Sequence, residues 1–174
     1  KKTVVSFFWV PAKVNGIHKK LAKFREVFGD IQNSLEEVEE EMEDSILYSL
    51  ITQKDIKVSE LLDEKMVLSL KSKIREMKSE DDLPLLATHE LTEQSDQIMS
   101  AFAKNGLTNK EEDRVKVIFY PIYSSGSDGL LNLEFYESIQ GSHLGVFPSF
   151  YEPWGYTPLE SAALGVASVT SDLS

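Results

Sequence analysis

The sequence contains no cysteine, which removes disulfide frameworks, thiolate metal sites and cysteine nucleophiles together. None of its five asparagines (Asn15, Asn33, Asn105, Asn109, Asn132) has Ser or Thr two positions on, so it carries no glycosylation sequon. Long apolar runs are missing too. The most apolar opening stretch, Val4 to Val10, is broken by Ser6 and falls far short of a membrane span, and it does not read as a secretory leader. Positive charge is scarce: 18 Lys and Arg stand against 29 Asp and Glu, a net charge of −11. Like charges repel, so nucleic acid and anionic membrane are poor partners. There is no GxGxxG, no GxxxxGK[ST] and no GxSxG, which argues against a dinucleotide fingerprint, a P-loop and a serine-hydrolase elbow. The three histidines, His18, His89 and His143, lack metal-ligand spacing, so no metal site is expected. The base expectation is a soluble intracellular domain, its 174 residues 41% hydrophobic and 10% aromatic and able to bury a real core.

Charge and chain punctuation divide the sequence. Residues 1–112 hold 38 of the 47 charged residues but three of nine glycines and two of six prolines. A charged, glycine-poor stretch reads as exposed helix; an apolar, Gly/Pro-punctuated one reads as buried strands joined by shaped loops. The chemistry is therefore expected in residues 113–174.

The β-branched and aromatic run from Thr3 to Val10, stopped by Pro11, reads as a strand buried on both faces. From Ile17 the apolar spacing turns helical (Leu21, Phe24, Val27, Phe28), with Gly29 as the expected C-cap. A second helical pattern covers 31–53, in which seven of nine residues from Glu36 to Asp44 are acidic: a solvated face, or an oligomer contact. Ser59 starts a further helix to about Met77, Lys78–Pro84 is a polar loop, and Ser95 caps a helix ending at Asn105-Gly106. Then come a strand at 115–120, a loop at 124–129 and a short helix at 133–140. A strand at 144–147, a helix from Thr157 to Leu164 and a strand at 166–170 complete the series. This alternation predicts βαβ units and a parallel sheet. A chain that opens on a core strand and closes on an uncovered one is expected to be part of a larger domain.

The stretch from Phe147 to Glu160 carries the chemistry. Thr157 reads as an N-cap, Pro158 as the first helical residue and Glu160 as the far half of a capping box. Gly155 permits close approach, and the amides of Gly155, Tyr156 and Thr157 at a helix N-terminus after a strand suit a phosphate without any lysine. Glu152, between aromatics on the strand's exit, suits a sugar hydroxyl or a developing positive centre. Trp154 and Tyr156 read equally well as packing aromatics.

Glu152 and Glu160 form E-x7-E, a spacing shared by retaining glycosyltransferases with two Rossmann-type domains. The longer string His143-Leu-Gly-Val-Phe-Pro-Ser-Phe-Tyr-Glu-Pro-Trp-Gly-Tyr-Thr-Pro158 closely resembles glycogen (starch) synthases of the animal and fungal type. Asp113–Phe119, Gly106-Leu107, Ala87–Glu90, Phe8–Lys13 and Ser168–Ser174 are similar as well. The resemblance implies an α/β fold: residues 1–174 as a fragment of the C-terminal, donor-binding, Rossmann-like domain of a GT-B enzyme, with a helical insertion at 14–83. It implies transfer of glucose from UDP-glucose to the non-reducing end of an α-1,4-glucan with retention and without a metal. Glu152 then matches the catalytic glutamate near the reacting carbon, acting as nucleophile or as an orienting charge. Glu160 matches the ribose-binding glutamate, and Gly155, Tyr156 and Thr157, beside Trp154, match the diphosphate loop. Phe135 stands where the family has a uracil-stacking tyrosine, with Tyr123 near the same base pocket. Phe150 likewise replaces a usual tyrosine beside Tyr151. The resemblance further implies a homo-oligomer assembled through the insertion, and a fragment inactive without the remaining domain. A helical partner-binding module, or a transferase for a different sugar nucleotide, are the alternatives.

Overall fold

A computed structural model of the chain describes residues 2–57, 61, 63–78, 84–92, 97–151 and 154–172. It divides into two compact units, residues 1–8 with 13–120 and residues 9–12 with 121–174.

The first unit is built on β4 (Val115–Tyr120), in which Val117, Phe119 and Tyr120 are almost wholly buried. β4 is hydrogen-bonded to β1 (Val4–Trp9), Val4 N–H donating to Arg114 O at 2.8 Å. It also bonds to the segment at 86–88, where Ala87 bridges Phe119 in parallel sense. β2 (Val14–Ile17) pairs antiparallel with β3 (His89–Leu91). α4 (Gln97–Lys104) sets Phe102 edge-on to Phe8, ring centroids 4.8 Å apart, and ends at Gly106, which adopts φ +67°. That φ is costly for any residue with a Cβ, and the Asn105-Gly106 stop signal supplies one without it.

Asn109 replaces a strand partner for β4. At φ +59° its side chain lies along Val117, donating Nδ2–H to Val117 O and accepting Val117 N–H at Oδ1, both at 2.8 Å. Nδ2 also lies 3.3 Å and 3.4 Å from the carbonyls of Pro84 and Leu85. Asparagine tolerates the left-handed region, and its side-chain amide combines an N–H donor group with a carbonyl acceptor, the pairing that a backbone unit would offer.

Three long helices rise from this unit: α1 (Lys19–Glu36), α2 (Glu39–Ile51) and α3 (Glu64–Lys78). His18 caps α1, its Nδ1 accepting Lys20 N–H at 3.3 Å. Along α1 the half-covered positions Leu21, Phe24, Val27, Ile31 and Ser34 recur every three or four residues, as do Met66, Leu70, Lys73 and Met77 on α3. Lys73 Nζ donates to Asp30 O and Ser34 Oγ, each at 3.3 Å, and Lys23 pairs with Glu76 at 3.2 Å. Rising numbers on α1 thus meet falling numbers on α3, an antiparallel pair. α2 opens on Glu39, Glu40 and Glu41, carboxylates suited to a helix N-terminus, and leaves Leu47, Tyr48, Leu50 and Ile51 exposed.

The second unit holds α5 (Phe135–Gln140) and a βαβ element of β5 (Leu144–Phe147), α6 (Tyr156–Ala163) and β6 (Ala167–Thr170). β5 and β6 are parallel, in register from Leu144↔Ala167 to Phe147↔Thr170. Ser161, fully buried on α6, donates its hydroxyl to Val166 O at 3.1 Å. Gly145 gives the Phe147 ring and Ser161 room: an added Cβ would come within 2.5 Å of Phe147 Cε2 and 3.0 Å of Ser161 Oγ. Asp128 Oδ1 accepts the amides of Leu130 (2.7 Å), Leu131 (3.0 Å) and Asn132 (3.3 Å), which shapes the loop before α5.

Several expectations need correction. β1 is not buried on both faces: Val4, Val5 and Phe7 are exposed, whereas Phe8 is half-covered and meets Phe102 of α4. Residues 14–17 are a strand, not the start of a helix, and helix begins only at Lys19. Gly29 is no C-cap. It has ordinary helical backbone inside α1, without the left-handed φ by which a glycine caps a helix. The break falls instead at Glu37-Val38, between α1 and α2. The helix start at Ser59, the cap at Ser95 and most of the 78–84 loop lie outside the described residues. The strands at 115–120 and 144–147 sit where the sequence puts them.

Candidate functional site

The site-bearing segment lies between β5 and β6. Hydroxyls fix the exit of β5: Thr170 Oγ1 donates to Phe147 O at 3.0 Å, and Ser171 Oγ accepts Ser149 N–H at 3.0 Å. Chain leaving that exit returns at Trp154 and enters α6 through Gly155, whose φ +49°, ψ +49° make it a left-handed N-cap. The first helical amides, Tyr156 and Thr157, have no acceptor four residues back within the helix. Pro158 follows at the third helical position, still in the first turn, where its missing N–H costs no hydrogen bond. α6 therefore starts one residue earlier than Thr157, and Thr157 is not its cap. Glycine takes the cap because only it enters the left-handed region without strain.

Glu160 is also reassigned. Its carboxylate closes no capping box. Oε1 accepts the hydroxyl of Tyr136, on the first turn of α5, at 3.0 Å. That hydroxyl titrates above the ordinary tyrosine value, first because it is hydrogen-bonded to Glu160, then because of the negative charge of Glu160. Phe135, beside it, sets its ring 5.4 Å from that of Tyr136 at 58°. α5 starts with Glu134 N–H donating to Glu137 Oε2 at 2.8 Å. Ser138 Oγ bonds Ser124 Oγ at 3.3 Å, tying α5 to the segment that carries Tyr123.

The geometry thus joins Phe135, Tyr136 and Glu160 across two helices, with Gly155, Tyr156 and Thr157 one turn from Glu160. Tyr123, Trp154 and Tyr156 are exposed, so none packs in a core. Tyr123 makes no ring contact with Phe135 among the described residues. Glu152 lies outside the described residues. Tyr136 is the residue that the sequence did not single out. Its only signals are a tyrosine next to Phe135 and a separation of 24 residues from Glu160, which no local pattern connects. Among the described residues no group of three His, Asp or Glu is placed to hold a metal ion, and no helix is long and apolar enough to cross a membrane.

Mixed α/β architecture, with a parallel βαβ element opening its helix through a left-handed glycine, is that of a partial Rossmann-like glycosyltransferase domain. The glycogen synthase family model matches residues 1–174, and the chain belongs to that family. It is 36% identical over 173 residues to the liver glycogen [starch] synthase of Homo sapiens, covering 99% of this chain and 24% of that protein. Glycogen [starch] synthase of Dictyostelium discoideum is 34% identical over 174 residues, 100% of this chain and 20% of its own length. Isoform 1 of Saccharomyces cerevisiae is 34% identical over 184 residues, 100% of this chain and 26% of its own length. The chain therefore spans a fifth to about a quarter of the length of these curated relatives.

Proposed function

We propose that this chain is the donor-binding part of a glucosyltransferase that moves glucose from UDP-glucose to the non-reducing end of an α-1,4-glucan with retention, in the cytoplasm. The observation that carries this reading is the opening of α6: a left-handed Gly155 followed by Tyr156 and Thr157, whose amides have no acceptor within the helix, between the two glutamates of the E-x7-E pattern. Family membership supports it.

In this reading the diphosphate lies on the N-terminus of α6, where oriented amides and the helix dipole favour negative charge. As the C1–O bond to diphosphate breaks, negative charge builds there, and the amides stabilise it without reorganising. The new bond forms between C1 and the acceptor hydroxyl, whose proton leaves with the departing phosphate. Glu152 faces the sugar carbon, where positive charge develops. Phe135 stacks on the base, Tyr123 lines the base pocket, and Glu160 accepts the ribose hydroxyls. Only Arg114 and Lys116 are cationic in residues 113–174. Amides alone do not neutralise a diphosphate, so basic side chains elsewhere in the longer protein complete the charge balance, in place of a metal. The exposed apolar residues of α2, Leu47, Tyr48, Leu50 and Ile51, support the α1–α3 excursion as a contact with a second copy.

Titration of the chain with UDP, followed by amide NMR, tests the donor site. Shifts at Tyr123, Phe135, Tyr156 and Thr157 at millimolar UDP are expected, and their absence sinks the reading. Sedimentation of the chain beside its Leu50→Glu, Ile51→Glu variant tests the contact, which fails if both run as monomers.

A further inference from the structure

The contact between Tyr136 and Glu160 has no role in the site as proposed above. Glu160 sits on α6 and Tyr136 on α5, and the 3.0 Å bond between them is a side-chain link between these two helices. Both ends are in reach of solvent, so packing does not force the pair together. Tyr136 is adjacent in sequence to Phe135 and in ring contact with it. One turn of α5 therefore presents a partly exposed aromatic ring and, next to it, a hydroxyl bound to a carboxylate. A nucleoside presents the same two chemistries side by side: a flat base and, one bond away, a sugar with vicinal hydroxyl donors.

We propose that Tyr136 is a positioning residue for ribose: its hydroxyl orients the Glu160 carboxylate so that the remaining acceptor sites face the 2′- and 3′-hydroxyls of a nucleotide whose base lies on Phe135. This rests on the reading of Glu160 as the ribose ligand. A free glutamate carboxylate turns about its terminal torsion, which is broad and only weakly preferred. Once Oε1 is held, the plane of the group is held, and Oε2 and the second lone pair of Oε1 stay available as acceptors. Preorganisation of this kind raises affinity by removing an ordering cost, without a new contact to the ligand. The raised hydroxyl pKa of Tyr136 agrees with a proton shared toward Glu160 in the free site.

Binding of UDP and of 2′,3′-dideoxy-UDP to the chain and to its Tyr136→Phe and Glu160→Gln variants, measured by calorimetry, tests this. Tyr136→Phe is expected to weaken UDP by roughly three- to tenfold, the range of one net hydrogen bond. It should leave dideoxy-UDP unchanged, and in the Glu160→Gln background it should have no further effect. Equal weakening of both nucleotides, or of neither, overturns the positioning role. Equal affinity of the unmutated chain for the two nucleotides overturns the ribose reading of Glu160, and the proposal with it. Spectroscopic titration of the Tyr136 hydroxyl separates the two failures. A pKa that drops in Glu160→Gln shows that the bond exists and only the ligand reading is wrong; an unchanged pKa removes the bond itself.

Discussion

Replacing Asn109 by alanine is expected to be the most damaging single truncation in the first unit. The substitution deletes two 2.8 Å hydrogen bonds to Val117, one in each direction, at a residue only 1% exposed. Each orphaned buried backbone group costs about 1–3 kcal/mol, more than the net worth of the bond it lost. Alanine held at the φ of +59° adds about 1–2 kcal/mol of left-handed strain. The sum, about 3–8 kcal/mol, is a large part of the 5–15 kcal/mol that typically holds a domain together. Asn109→Gly removes the strain and keeps the orphaned groups, so it should be milder than alanine by about 1 kcal/mol. Asn109→Asp keeps the acceptor for Val117 N–H but turns a carboxylate oxygen on the carbonyls of Val117, Pro84 and Leu85, so it should be no better than alanine. Urea unfolding followed by far-ultraviolet circular dichroism, read as a midpoint shift at constant slope, measures all three. A loss of less than about 0.5 kcal/mol for Asn109→Ala, within the usual range for surface changes, would refute the strand-surrogate argument, as would a glycine variant worse than alanine.

Three further outcomes are expected. Gly155→Ala should strain the left-handed cap of α6 by about 1–2 kcal/mol and weaken UDP binding, because the helix opening must shift; unchanged affinity would show that the amides are not used. Gly145→Ala places a methyl 2.5 Å from the Phe147 ring and should destabilise the second unit by about 1–3 kcal/mol, read from thermal unfolding, whereas a neutral result would mean that the ring swings freely aside. The raised Tyr136 pKa fixes a direction with pH. The protonated hydroxyl is favoured in the folded chain, so its contribution is complete below the ordinary tyrosine value of 10.0 and is lost as pH rises through the higher folded value. Alkaline unfolding curves of the chain and of Tyr136→Phe should therefore converge at high pH; parallel curves contradict the bond.

Legibility in the sequence followed how local the signal was. The strand at Val115–Tyr120 and the helix stop at Asn105-Gly106 depend on short runs of residue types, and both stand where those runs put them. Gly29 misled because a glycine inside a helix and a glycine that ends one differ only in φ, and Asp30 and Ser34 are recruited by Lys73 from 39 or more residues away. β2 was missed because four residues, Val-Asn-Gly-Ile, show no period, and they become a strand through pairing with His89–Leu91. In the site, the sequence pointed to Gly155–Thr157 as a helix opening but assigned the cap to Thr157. A threonine cap is the commoner solution, and nothing local says that Gly155 turns left-handed first. The Tyr136–Glu160 bond needed the βαβ element to bring α5 and α6 together, so no pattern along the chain could announce it.

The joints within the β5–α6–β6 element are made by neutral hydroxyls: Ser161 on Val166, Ser168 on Pro158, Thr170 on Phe147, Ser171 on Ser149. Neither ionic strength nor redox poise acts on such bonds, since they hold no net charge and no sulfur. The helical excursion is built the other way, around a lysine–glutamate pair and an acidic run whose mutual repulsion salt relieves. Dissolved salt is therefore a control that loosens or tightens the helices while leaving these hydroxyl joints indifferent, so one chain carries helices tuned to their ionic surroundings and a βαβ element whose own joints are insulated from them.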